Sequence, residues 1–227
     1  MKLSNETRDV LKNFASINSN IVFNGGNEIK TMSEAKNIMS TATVAETFPD
    51  NLLGIYDLNE FLGVMSMFDD PELQFSSDYN SVKIVQDRKS VNYYFSDPSI
   101  LTSPSKVITM PDPEVTLTLT ADNIAQMRKA ASALGVSDVV ITANPGDAHI
   151  TIRVTDVEDA TANNFELAVD GPPASAPYRF IFNIANFKII QGDYNVKISS
   201  KLISSWTNET NAVEYFIALE KASNYGG

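Results

Sequence analysis

The chain has 227 residues, 43% of them apolar and none of them cysteine; it can bury one large core or two small ones, but disulfides, thiolate zinc sites and a cysteine nucleophile are excluded. A net charge of −11 opposes nucleic-acid binding over the surface as a whole and leaves only binding through a locally basic face. No apolar run approaches the ~18 residues that cross a bilayer, and the start MKLSNETRDV has no export-signal core, which predicts a protein of a reducing cytoplasm without a membrane partner.

Residues 4–17 read as a first helix. Ser4 can cap it, Val10, Leu11, Phe14 and Ile17 share one face, and Arg8 and Lys12 form an i, i+4 pair opposite that face. Gly25-Gly26 reads as a hairpin turn. The run IYDLNEFLGV then ends a strand at Asp57 and enters a helix over residues 57–68, with Phe61 at the fifth position. Its outward positions, Asn59, Glu60, Gly63, Ser66 and Met67, carry no cation. Asp69-Asp70-Pro71-Glu72 is expected to be a solvated acidic turn before the strand-like ELQFS, not a Mg2+ site.

Between residues 97 and 115, Pro98, Pro104, Pro111 and Pro113 resist helix and central strand, so the segment reads as an extended surface connector. Val107, Ile108 and Met110 are apolar within it. They leave two readings open, a plain linker or a docking surface for a peptide.

The second half repeats the first. Residues 120–134 start at a capping Thr120 and carry Ile124, Met127, Ala131 and Leu134 on one face, with Lys129 opposite and Arg128 on the flank. FNIANFKII then matches IYDLNEFLGV, Asn183 standing for Asp57 and Phe187 for Phe61, and is expected to form a second short amphipathic helix. A repeat of about half the chain predicts two similar α+β domains in tandem, at 1–108 and 109–227, each running helix, strands, helix, strands.

Charge is segregated along this pattern. From Asp138 to Asp170, Asp138, Asp147, Asp156, Glu158, Asp159, Glu166 and Asp170 face a single cation, Arg153, whereas the two long helices repeat cations off their apolar stripes, Arg8 and Lys12 on the first and Arg128 and Lys129 on the second. Such a protein is repelled by DNA over most of its surface and drawn to it loosely along helical lysines, without reading sequence. His149 is the only histidine and reads as a strand residue beside a turn, so a multi-histidine metal site cannot be assembled; without a thiol, no spacing suggests a nucleophile, base and orienter, a lysine or carboxylate base included. With no phosphate-binding glycine motif either, the chain is expected to be a non-enzyme without cofactor or metal.

The segments LSNETRDVLKNFASINSNI, IYDLNEFLGV, FIFNIANFKIIQGDYNVKI and YFIALE together resemble the sliding clamps, or DNA polymerase processivity factors, of T4-type bacteriophages. The resemblance spans both halves, but over about 23–49 and 143–177 it does not extend to individual residues. It implies two processivity-fold domains per subunit in a homotrimeric ring, helices lining the hole and antiparallel sheets outside. Double-stranded DNA would pass through, held without sequence preference, while the ring tethers the replicative DNA polymerase. The clamp loader is a further implied partner, as are late-transcription factors, in the cytoplasm of an infected bacterial host.

Under the resemblance, Lys12, Lys129 and Lys188 are the DNA-facing candidates, and helical geometry alone adds Arg8 and Arg128. Val107, Ile108, Met110 and Pro111 are the candidates for a partner-peptide pocket. The runs VKIVQDRKSVNYYF and Val154 to Val169 are candidate subunit edges, to be joined head to tail. Two other readings share the acidity: a virion structural protein, and an acidic DNA mimic. The first does not require lysines aimed outward on helices; the second favours acids on an exposed helical face, which the two long helices lack.

Overall fold

The structure is a computed structural model that describes every residue except 105–107 and 209. The chain divides into two compact units, Met1–Val107 with Asn211–Val213, and Ile108–Thr210 with Glu214–Gly227. Among the described residues no helix is long and apolar enough to cross a membrane.

The first unit opens with α1 (Asn5–Ile17), then β1 (Ile21–Phe23), β2 (Gly26–Met32), β3 (Ile38–Phe48) and β4 (Leu53–Ile55). It continues with α2 (Leu58–Met65), β5 (Glu72–Phe75), β6 (Ser81–Gln86), β7 (Lys89–Tyr94) and a 3-10 turn at Pro98–Ile100. β1 pairs with β4, β2 with β3, and β5, β6 and β7 form an antiparallel sheet that ends at β7. Gly25-Gly26 does not turn a hairpin: it links β1 to β2, strands that pair with different partners. Both glycines have positive φ, and a Cβ on Gly25 would lie 2.9 Å from Asp50 Cα, so the link needs glycine for conformation and for close backbone approach.

α1 buries the expected stripe, Val10, Leu11, Phe14 and Ile17. The Ser4 hydroxyl accepts from Thr7 N at 3.2 Å, and the Glu46 carboxylate on β3 accepts from Ser4 N and the Thr7 hydroxyl. Burial raises the Glu46 pKa, but these hydrogen bonds outweigh it and hold the group below its ordinary value of 4.5. A depressed folded-state pKa contributes stability that is present above pH 4.5 and lost as pH falls through the folded value. Glu46→Ala is therefore expected to cost about 1–3 kcal/mol at neutral pH, with the gap to the parent narrowing in acid, as measured by urea denaturation across pH.

α2 is shorter than the sequence suggests. The Asp57 carboxylate caps it, accepting from Asn59 N at 2.9 Å and Glu60 N at 3.0 Å, and the helix gives way to turns after Met65. The outward positions Asn59, Glu60, Gly63, Ser66 and Met67 are all exposed.

In the second unit β8 (Val115–Leu119) leads into α3 (Ala121–Leu134). β9 (Asp138–Ala143), β10 (Ile150–Thr155), β11 (Phe165–Val169), β12 (Tyr178–Asn183) and a 3-10 turn at Ile184–Asn186 follow. β13 (Tyr194–Ser199), β14 (Ile203–Asn208), β15 (Val213–Ala218) and β16 (Asn224–Tyr225) close the chain. One antiparallel sheet runs β11-β10-β9-β12-β16, and β13 pairs with β8 and β14. Trp206, Tyr194, Tyr215, Phe180 and Phe182 are fully buried in this unit, with Trp206 against Phe187 at a ring separation of 4.9 Å.

The expected helix at FNIANFKII is absent. Asn183 caps a single 3-10 turn through Ala185 N at 2.9 Å, and Phe187 and Ile189 are then buried in alternation, as on a strand. The hydrophobic repeat is conserved in kind, with Phe61 and Phe187 both buried, but the backbone differs.

Candidate nucleic-acid interface

Lys12 sits on α1 opposite its buried face, with its side chain 66% exposed and its ammonium 2.9 Å from Asp9 on the same helix. An exposed i, i+3 pair of this kind is weak, so the ammonium can exchange Asp9 for a phosphate at little cost. Arg8 departs from the outward direction expected of it. Its guanidinium lies over the segment after α2, donating to Asp69 O at 3.3 Å and 3.9 Å from the Asp70 carboxylate, which also pairs with Lys2. A helical wheel gives the direction of Cβ only; the long arginine stem lies back along the neighbouring segment.

α3 is closed at both ends. Thr120 and Asn123 form a reciprocal capping box, the Asp193 carboxylate takes Ala121 N at 2.7 Å, and Gly135 ends the helix in left-handed conformation. Ile124, Met127 and Ala131 are buried, whereas Leu134 remains half-exposed. Lys129 is exposed, and beyond Asp122 its helix carries no acid. Lys129, Gln126, Ala130, Ala133, Leu134, Asn164 and Phe165 line an open depression of about 540 Å³ beside β11.

Arg128 also departs from an outward role. Its guanidinium is half-buried and donates from Nη2 to the carbonyl oxygens of Phe187 and, at 3.1 Å, Ile189. Burial lowers its pKa, opposed by the phenols of Tyr194 and Tyr215. Lys188, between those two carbonyl residues, is exposed. Sequence reasoning missed this hold because nothing local marks it: Arg128 meets its partners only through the fold, 59 and 61 residues along the chain.

In the connector, Ile108, Met110 and Pro111 are half-exposed around an exposed Thr109, and Val107 lies outside the described residues. His149 is exposed just before β10, its Nδ1 3.1 Å from Asp170.

Residues 4–110 match the family model for the DNA polymerase processivity factor, and residues 116–221 match that for the gp45 sliding clamp, C terminal. The sliding clamp of Escherichia phage RB69 is 32% identical over 231 residues, covering 99% of each chain. The chain belongs to the sliding-clamp family of T4-type phages. The sliding clamp of Vibrio phage KVP40 is 30% identical over 222 residues, covering 97% of this chain and 99% of its relative. The fold extends to more distant clamps: A. fulgidus PCNA, solved with the C-terminal region of FEN-1, superposes with a TM-score of 0.70 at 13% identity, covering 98% of both chains. As a clamp this protein is a DNA polymerase processivity factor and a scaffold, not an enzyme, built from two α+β domains with antiparallel sheets.

Proposed function

We propose that three copies of this clamp close head to tail into a ring around duplex DNA, each contributing clamp domains at 1–108 and 109–227. The observation that carries the reading is the placement of Lys12, Lys129 and Lys188, all exposed, in a chain of net charge −11. They suit weak, sequence-independent phosphate contact that permits sliding, while topology supplies retention. Arg8 and Arg128 contribute to phosphate contact only indirectly, since each guanidinium is held within its own unit.

For the joints between copies, β7 and β11 each end a sheet and so offer unmade backbone hydrogen bonds. Lys83, Arg88 and Lys89 accompany the first edge, and Asp156, Glu158, Asp159 and Glu166 the second, so a heterologous pairing is complementary in charge. The depression beside β11 adds an apolar floor to that edge.

Ile108, Met110 and Pro111, with Val107, form the proposed pocket for partner peptides of the replicative polymerase, the clamp loader and late-transcription factors, in the cytoplasm of the infected host. Peptide capture is supported by distant clamps of the same fold, one bound to the C-terminal region of FEN-1 and one to a DNA ligase peptide.

Light scattering over a concentration series tests the assembly: with subunits of 24.9 kDa, a closed ring weighs about 75 kDa. A stable particle of that mass, dissociating as salt rises, is the expected result. A monomer at every concentration and low salt counts against the ring.

A further inference from the structure

We infer that Arg128 is a positioning residue: it holds residues 187–190 as a strap that presents Lys188, where the first unit has a helix. The inference rests on the proposed DNA-facing role of Lys188. In the repeat, Phe187 stands where Phe61 does, so Lys188 stands at the position of Leu62, which is half-buried on α2. A helix in the second unit would put the lysine on that flank. The strap instead buries Phe187 and Ile189 in alternation and leaves Lys188 exposed between them.

The backbone accounting explains why the strap persists. In a helix the carbonyls of residues 187, 189 and 190 would accept from amides four residues on. Here Arg128 Nη2 takes those of Phe187 and Ile189, the Tyr194 hydroxyl donates to Ile190 O at 2.6 Å, and Ile190 N donates to the Tyr215 hydroxyl at 3.2 Å. Side chains thus satisfy three carbonyls and one amide that a helix would otherwise satisfy, which offsets the cost of leaving the segment irregular. Both bonds leave the single Nη2 at the far end of the guanidinium, one atom beyond the reach of a lysine Nζ, so an ammonium at this position stops short of the two carbonyls.

The test compares the parent with Arg128→Ala, Arg128→Lys, Tyr194→Phe, Lys188→Ala and the Arg128→Ala/Lys188→Ala double variant. Amide exchange over 187–190 is read by mass spectrometry, and affinity for a fluorescent linear duplex by anisotropy at low salt. Loss of Arg128 is expected to raise exchange in the strap about 10-fold or more while the N-terminal half of α3 stays protected. Affinity is expected to fall about 3- to 10-fold for either single alanine variant and no further for the double, with Arg128→Lys failing to restore it. If Arg128→Ala does not fold, Tyr194→Phe loosens the same strap with the guanidinium in place, and is expected to show the same paired loss.

Multiplying losses in the double variant, or restoration by lysine, means that Arg128 touches phosphate through its charge and overturns the inference. Unchanged strap exchange in a folded Arg128→Ala overturns it as well, whatever Tyr194→Phe shows. If exchange rises but Lys188→Ala leaves DNA affinity intact, it is the DNA-facing reading of the loop that fails, and the hold on the strap stands.

Discussion

Reversing Lys12, Lys129 and Lys188 together to Glu is expected to abolish most loader-stimulated DNA association and shorten processive synthesis, with fold and particle mass unchanged. All three side chains are exposed, and none fills a core position, so substitution leaves the packing of α1, α3 and the strap intact. Three phosphate contacts per subunit correspond to a salt slope of about −2.7 in log affinity, a loss of about 40-fold between 50 and 200 mM salt. Charge reversal removes that attraction and adds repulsion; at position 12 the new carboxylate also faces Asp9. The measurement is product length on a primed template at several salt concentrations. Processivity that survives the reversal at low salt, where attraction is greatest, would falsify the phosphate-facing assignment.

The second large effect is expected at the connector. Replacing Ile108 and Met110 with Ser should weaken binding of a polymerase C-terminal peptide by about 100-fold, since apolar anchors in a peptide groove carry about 2–4 kcal/mol. Both side chains are half-exposed, so the loss of core stability is small and the particle mass should hold. Titration calorimetry with the peptide decides it. Affinity within a factor of two of the parent would move the docking site away from this segment and leave the connector a plain linker.

Much of this architecture was legible in the sequence because its determinants are local. The caps at Ser4 and Thr120 sit where hydroxyl side chains precede apolar periodicity, and each accepts the backbone hydrogen bond expected of it, as Asp57 and Asn183 also do at the turns they start. The stripes on α1 and α3 and the outward face of α2 follow from a period of 3.6 residues, which needs no tertiary information. The duplication and the family resemblance were likewise carried by residue types at fixed spacing, and the matches over 4–110 and 116–221 and to the phage relatives place the chain in that family.

What local patterning missed lies where two distant segments compete for the same backbone groups. FNIANFKII has the apolar content of a short helix, yet its carbonyls accept from Arg128 and Tyr194 instead of from its own amides, and the helix ends after one 3-10 turn. Gly25-Gly26 has hairpin composition, but the strands on either side pair with different partners. Arg8 lies opposite the buried face of its helix and Arg128 on a flank, yet their long stems fold back to carbonyls, Asp69 O for one and Phe187 and Ile189 O for the other.

By itself, then, the sequence determined the two-domain α+β plan, the faces of the two long helices, the absence of any thiol, and the presence of cations off the apolar stripe of each long helix. Only the tertiary structure decided which of those cations are exposed and which are held within the fold. Periodicity fixes where a side chain leaves the backbone, but a guanidinium reaches several ångströms beyond that point, and its final partner is whichever unsatisfied carbonyl the packed chain brings within range.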